Sequence, residues 1–203
     1  MKIHIGPGQN WDRKKYKKDN WYTIDIDEKR GDYVLNFDDF EKLPFKTNSI
    51  ECIYASHVFE HISIYVKPLL FKECYRVLKK GGWLRVITPN PRISMIEYLN
   101  NNKDFKLFKR RKQRNPDYTL FECLKEDFLS KTMQKMLKKN QLAHQNAWDE
   151  ETMIKDFIRA GFDKKNVFKS SFNNSKCSFF SFENIEFSEA NETYRSLYID
   201  GQK

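Results

Sequence analysis

Two apolar runs, Ile50–Ala55 and Trp83–Thr88, bracket a single amphipathic helix pattern, and this strand–helix–strand order constrains the fold more than any other feature of the chain. Across Tyr65–Lys79, Leu70, Cys74, Val77 and Leu78 recur at helical spacing and define one buried face. Pro68 stands in the first turn, where proline is tolerated, while Lys79, Lys80 and Gly81 supply a cationic end and a stop. Strands joined through a helix pair in parallel, so the unit predicts an α/β sheet. Further strands are expected at Lys2–Ile5, Trp21–Ile26 and Tyr33–Phe37, which are rich in β-branched and aromatic residues. The link from Ile26 to Tyr33 is too short for a helical crossover, which leaves the third strand vestigial or differently placed.

After Pro91 the pattern changes. Residues 92–145 read as helices with no strand between them, a helical insert or lid within one domain spanning 1–203. Leu120, Leu124 and Phe128 fall at helical spacing, and Met133, Met136 and Leu137 extend the stripe as packing. A last helix is expected from Asp149, as N-cap, to Ala160, with Ile154, Phe157 and Ile158 inward and Gly161 as stop. VFKSS and YRSLYIDGQK read as two closing strands separated by a polar loop. The fold class is therefore α/β: a Rossmann-like, mostly parallel sheet with flanking helices, an antiparallel closing strand and a helical insert after the fifth strand.

Composition narrows the setting. With 39% hydrophobic residues and 17 phenylalanines the chain can build a core, and 32% charged residues mark it as soluble and folded. No apolar run reaches membrane-spanning length, and a glycine turn comes too early for a signal peptide. Cys52, Cys74, Cys123 and Cys177 are far apart and form no C-x-x-C, which points to a reducing, cytoplasmic setting and away from a cysteine zinc site. The net charge of +9 concentrates at Lys14, Lys15, Lys17 and Lys18 and in FKLFKRRKQR, residues 105–114. A solvated face is the simpler reading; a patch for an anionic partner such as nucleic acid, a phosphorylated glycan or a membrane surface is the functional one. Nothing in the sequence sets the oligomeric state.

The chemistry starts at the N-terminus, where Lys2-Ile3-His4-Ile5 runs straight into Gly6-Pro7-Gly8. Asp25 follows Gly6 by nineteen positions, at the end of Trp-Tyr-Thr-Ile, and strand alternation puts Asp27 on the same face. A glycine turn with a strand-end acid at that distance suits a ligand whose ribose hydroxyls meet the carboxylate. The third glycine of G-x-G-x-x-G is replaced by Trp11, and WDRKKYKKDN has no apolar helical stripe. The first helix is therefore short or poorly docked, a pyrophosphate cofactor is disfavoured, and a nucleoside without phosphate such as S-adenosylmethionine fits better.

The blocks IGPG, WYTIDID, LPFKTNSIECIYASHVFEH and ECYRVLKKGGWLRVITPN, in that order, resemble class I S-adenosylmethionine-dependent methyltransferases. Among these the chain is most similar to small bacterial enzymes that occur among surface-polysaccharide genes. AWDEETMIKDFIRAGF and RSLYIDGQK resemble the closing helix and strand of the same family. The resemblance implies that Gly6, Pro7 and Gly8 let the backbone approach the methionine part of S-adenosylmethionine and that Asp25 holds the ribose. It implies that Asp39, with Asp38 as close rival, accepts from the adenine amino group beside the Phe40 N–H. It places Ala55, Ser56 and His57 where methyl and acceptor meet. The chain also starts directly at the first strand, so the insert would have to cover the cofactor.

Methyl transfer asks the protein for alignment and, for a hydroxyl acceptor, a base. The candidate bases are His57, Glu60, His61 and His144, with a purely structural role as the alternative for each. The expected acceptor is a hydroxyl or similar group on a sugar, surface glycan or small metabolite. Rival readings are an RNA methyltransferase using the basic insert and a non-catalytic binding protein on the same fold. A further rival is a zinc hydrolase, because HVFEH matches H-x-x-E-H, yet that motif belongs within a helix and here follows a strand. Base-amino methylation is disfavoured, since ASHVFEH stands where a Pro-Pro-Tyr type motif is needed and Asn90-Pro91 reads as a loop turn.

Overall fold

Ile50–Ser56 is buried on both faces along most of its length, the mark of a central parallel strand. The computed structural model describes residues 1–8, 11–128, 144–180 and 192–203, and places that strand at the middle of one seven-stranded sheet. In spatial order the strands are β3 (Tyr33–Val34), β2 (Trp21–Asp25), β1 (Lys2–Ile5), β4 (Ile50–Ser56), β5 (Leu78–Pro89), β7 (Ser196–Gln202) and β6 (Val167–Lys169). β1 to β5 pair in parallel, and β7 lies antiparallel between β5 and β6. The expected α/β class and the antiparallel closing strand are both present.

Alternation along the strands feeds two cores. Ile3, Ile5, Ile53, Ala55, Leu84 and Val86 face α2 (Lys67–Val77) and α6 (Glu150–Ala160), whose Leu70, Phe71, Cys74, Met153 and Phe157 complete that layer. Cys52, Tyr54 and Ile87 face the other side, against Trp21, Tyr16, Phe180 and Tyr198. Each fully buried side chain of this size stabilises the fold by about 1.5–3 kcal/mol, so the strand ends that carry the site are held on a rigid base. Among the described residues, the link before β2 holds one helix, α1 (Arg13–Lys17), and Trp11 stacks on Tyr16 at 4.0 Å beside it. The short first helix expected from the sequence is thus observed.

Several expectations differ in detail from the structure. α2 ends at Val77, because Leu78 is drawn into the sheet opposite Ile50; Lys79, Lys80 and Gly81 belong to an irregular start of β5. β3 is vestigial as expected, ending at Val34 rather than Phe37; it is parallel to β2, and its helix-free link is closed by Asp32, which accepts the Thr23 N–H at 3.0 Å and pairs with Arg13 and Lys17. In α5 (Leu120–Phe128) the buried residues are Leu120, Cys123 and Asp127, while Phe128 is exposed, because the helix turns this face toward α3 (Pro91–Leu99). In α6 Met153 and Phe157 point inward and Ile158 is exposed.

Asp149 caps α6 as expected, accepting the Thr152 N–H at 2.8 Å. Residues 91–128 hold α3, α4 (Lys106–Lys112) and α5, with no strand among them, and Phe105, Leu107, Phe108, Tyr118, Leu120 and Cys123 form a cluster of their own. Asn90 and Pro91 open α3 rather than forming a loop turn. Met133, Met136 and Leu137 lie outside the described residues. The four cysteines are thiols. No described helix is long and apolar enough to cross a membrane.

Candidate active site

The C-terminal ends of β1, β2 and β4 lie side by side, because Ile5 pairs with both Ile24 and Ala55. In an open parallel sheet this edge is where ligands bind. Gly6 continues β1 at φ +63°, and a Cβ there would stand 2.3 Å from Val58 Cγ2, so only glycine fits. Gly8 has φ +68° and open space where its Cβ would be, leaving the backbone approachable beyond Pro7. At the end of β2 the buried Asp25 accepts the Asp27 N–H on Oδ1 at 2.9 Å, which orients the carboxylate and leaves Oδ2 for a ligand. An exposed turn carries Asp38 and Asp39; Asn36 Nδ2 donates to Asp39 at 3.1 Å, and Phe40 is buried against Phe37. The cradle at Gly8 and the strand-end carboxylate fit a nucleoside with a ribose diol and an extended tail.

His57 ends β4 at φ +52°, a left-handed conformation that costs a non-glycine residue about 1–2 kcal/mol and recurs at functional sites. Its ring is buried, with Nε2 3.1 Å from Ser196 Oγ and Nδ1 3.3 Å from Glu60 Oε1, so it faces protein on both sides. Ala55 is buried beneath it, and Ser56 Oγ is buried without a hydrogen bond. Phe59–His61 form one tight 3₁₀ turn with His57 outside it. His57 and His61 therefore do not share a helical face, and the H-x-x-E-H hydrolase geometry is not formed.

Glu60 is the electrostatic centre, 1% exposed. Burial opposes its ionisation, but His57, His61 and His144 hold its carboxyl below the usual range. His144 reaches this place through backbone pairing. The Gln145 and Asn146 N–H groups donate to the Glu60 carbonyl at 2.6 and 3.1 Å, and Gln145 Nε2 donates to the His61 carbonyl at 3.1 Å. Trp148 anchors the segment: it is buried, and Nε1 donates at 2.8 Å to Asp156, which also binds Lys67 Nζ at 2.8 Å. The His61 and His144 rings meet edge to face at 4.9 Å. Burial lowers the pKa of His144, which keeps its imidazole neutral, and Nδ1 stands 3.2 Å from the Asp127 carbonyl.

Asp127 was not legible as a site residue. Its buried carboxylate faces the site from α5, with Ser94 beside it. Burial pushes its carboxyl up to about 6, against the opposing pull of Ser94 and Arg195. The one sequence trace is an acid seven residues after Leu120, on a face that should be apolar. The basic run is spent locally: Arg110 pairs with Glu192, Arg111 with Glu126 at 3.0 Å and Lys109 with Asp104 at 2.6 Å.

Residues 4–86 match the family model described as a methyltransferase domain. No curated protein matches the chain. Among solved structures, the chain is similar to an S-adenosylmethionine-dependent methyltransferase from Mesorhizobium loti, with 16% identity, a TM-score of 0.56 and coverage of 100% of this chain and 90% of the other. It is similar to one from Methanosarcina mazei, with 15% identity, a TM-score of 0.54 and coverage of 100% and 91%. It is also similar to phosphoethanolamine N-methyltransferase 2 from Haemonchus contortus in complex with S-adenosyl-L-methionine, with 14% identity, a TM-score of 0.51 and coverage of 100% and 48%. These likenesses carry the fold, and the family match covers β1 to β5, the strands that build the cofactor edge. The comparisons say nothing of a surface-polysaccharide setting. Residues 4–86 thus form a methyltransferase domain of the S-adenosylmethionine-dependent kind.

Proposed function

We propose that the acceptor is a hydroxyl oxygen of a small, oxygen-rich molecule such as a sugar or a hydroxylated metabolite. The observation that carries this reading is the buried polar cluster beside the cofactor edge. Ser56 Oγ and Thr88 Oγ1 are buried without a hydrogen bond, and the buried carboxylates of Glu60, with His57 Nδ1 at 3.3 Å, and Asp127, with Ser94 beside it, keep accepting capacity to spare. A buried polar atom without a partner costs about 1–3 kcal/mol, so a ligand with several hydroxyls would recover much of that cost.

Bound at the glycine cradle, S-adenosylmethionine supplies a methyl group on a positively charged sulfur. Gly6 and Gly8 let the backbone meet its amino-acid end, Asp25 orients the ribose, and Asp39 with the Phe40 N–H meets the adenine. His57, pinned between Glu60 and Ser196, is a positioning residue. His61 and His144 are the imidazoles an acceptor reaches. The helices α3, α4 and α5 cover the acceptor. Because Lys109, Arg110 and Arg111 of α4 are engaged by Asp104, Glu192 and Glu126, an anionic acceptor or RNA gains no support from these three.

The test is transfer of labelled methyl from S-adenosylmethionine to a panel of monosaccharides, polyols and phenols, with RNA and amines alongside. Label on oxygen of a hydroxylated small molecule is expected. Label on RNA or on an amine alone would overturn the assignment.

A further inference from the structure

We propose that Glu60, His61 and His144 bind a divalent first-row transition-metal ion of the zinc–manganese type. One ligand atom from each residue lies within 4.8 Å of the others. With ligand bonds of about 2.0–2.2 Å, donors on one ion stand about 3–4 Å apart, so closing the site takes side-chain shifts of about 1 Å.

Two further observations point the same way. The carboxylate of Glu60 is 1% exposed, its Oε2 is without a hydrogen bond, and Oε1 meets only imidazoles among the described residues, His57 Nδ1 at 3.3 Å and His61 Nε2 at 4.0 Å. A buried carboxylate in that condition is costly, and a cation is the partner that satisfies it best. His144 Nδ1 faces the Asp127 backbone carbonyl at 3.2 Å, which places the ring proton on Nδ1 and leaves the Nε2 lone pair for a ligand. Metal-binding histidines are typically oriented by such a bond. The positions are also pre-set, since Gln145 and Asn146 staple the His144 segment onto residues 60–62 before any ion arrives.

The set differs from the H-x-x-E-H reading. His57 is absent from it, because its ring turns to Ser196 and supports Glu60 from outside. Two imidazoles and one carboxylate favour zinc, manganese, iron, cobalt or nickel over magnesium and calcium. His61 is partly exposed, so coordination positions remain open on that side. The consequence for turnover rests on the proposed oxygen acceptor. A hydroxyl ligated to the ion loses its proton to solvent near neutral pH, and the two histidines then act through the ion rather than by taking that proton.

The experiment is calorimetric titration of chelator-stripped protein with zinc, manganese and magnesium, with cobalt(II) followed by its visible absorption. One ion per chain at micromolar affinity or tighter is expected for zinc or manganese, with little binding of magnesium. His144→Ala and His61→Asn should each weaken binding by at least about tenfold. Thermal unfolding checks that both variants fold, and His61→Asn, at a partly exposed site, serves if the other does not. No binding to folded protein, or binding that survives both substitutions, overturns the inference. S-adenosylmethionine titrated into the same stripped protein separates the two readings: its binding without metal binding leaves the methyltransferase standing and removes the metal site.

Discussion

Asp25 gives the sharpest test of the cofactor edge, because two substitutions there separate its two jobs. Oδ1 holds the turn by accepting the Asp27 N–H at 2.9 Å, and Oδ2 is available for a ribose hydroxyl. Asn keeps an oxygen for the turn and removes the charge. A hydrogen bond to a charged group contributes about 1.5–3 kcal/mol and a neutral one about 0.5–1.5 kcal/mol, so Asp25→Asn should lose about 1–1.5 kcal/mol of binding, or about 5–10-fold in Kd. Asp25→Ala loses the whole contact, about 1.5–3 kcal/mol, or about 10–100-fold. It also loses the turn bond, which costs about 1 kcal/mol of stability and about 2–4 °C in Tm. The assay is calorimetric titration with S-adenosylmethionine and S-adenosylhomocysteine, with thermal unfolding alongside. The two ligands share the ribose, so both should weaken equally. Unchanged affinity in Asp25→Ala with the Tm drop present would refute the argument and move the ribose away from the end of β2.

Other perturbations follow from the same geometry. Gly6→Ala meets both φ +63° and Val58 Cγ2 at 2.3 Å, so it should cost about 2–5 kcal/mol and weaken cofactor binding; Val58→Ala in the same chain should recover only the steric part, read by denaturant unfolding. Asp127 moves from an ordinary 3.8 to about 6, so the fold favours its protonated form. Its penalty is absent below about pH 4, grows as pH rises to about 6, and reaches about 3 kcal/mol above that. Asp127→Asn should therefore raise Tm at pH 7.5 and leave it unchanged at pH 4; parallel pH profiles of Tm would refute this. Arg110→Glu should destabilise the fold by about 1–2 kcal/mol through loss of the Glu192 pair, discounted for its partial exposure, while S-adenosylmethionine affinity by calorimetry stays the same.

Much of this protein was legible before folding. The β4–α2–β5 unit, the short α1, the Asp149 cap and the closing strands follow from hydrophobic period, capping chemistry and glycine placement. All of these are local or near-local signals carried by adjacent residues. Gly6, Gly8 and Asp25 were predictable as neighbours for the same reason: they lie within one short β-loop-β stretch, and the pairing of β1 with β2 brings them together. Where local reading failed, a longer-range contact prevailed. Leu78 left its helix because Ile50 offered a buried place in the sheet, and α5 buried Asp127 because its inward face was set by α3. Sequence spacing put His57 and His61 in one motif, but the left-handed backbone at His57 separated them. His144, more than eighty residues from Glu60, joins that centre only because Gln145 and Asn146 hydrogen-bond to the loop after β4. The sequence by itself determined the sheet and its strand–helix order, since those depend on pattern along the chain. Only the tertiary structure decided which imidazoles and carboxylates share one buried centre, because that depends on backbone hydrogen bonds and burial between segments with no sequence relation to one another.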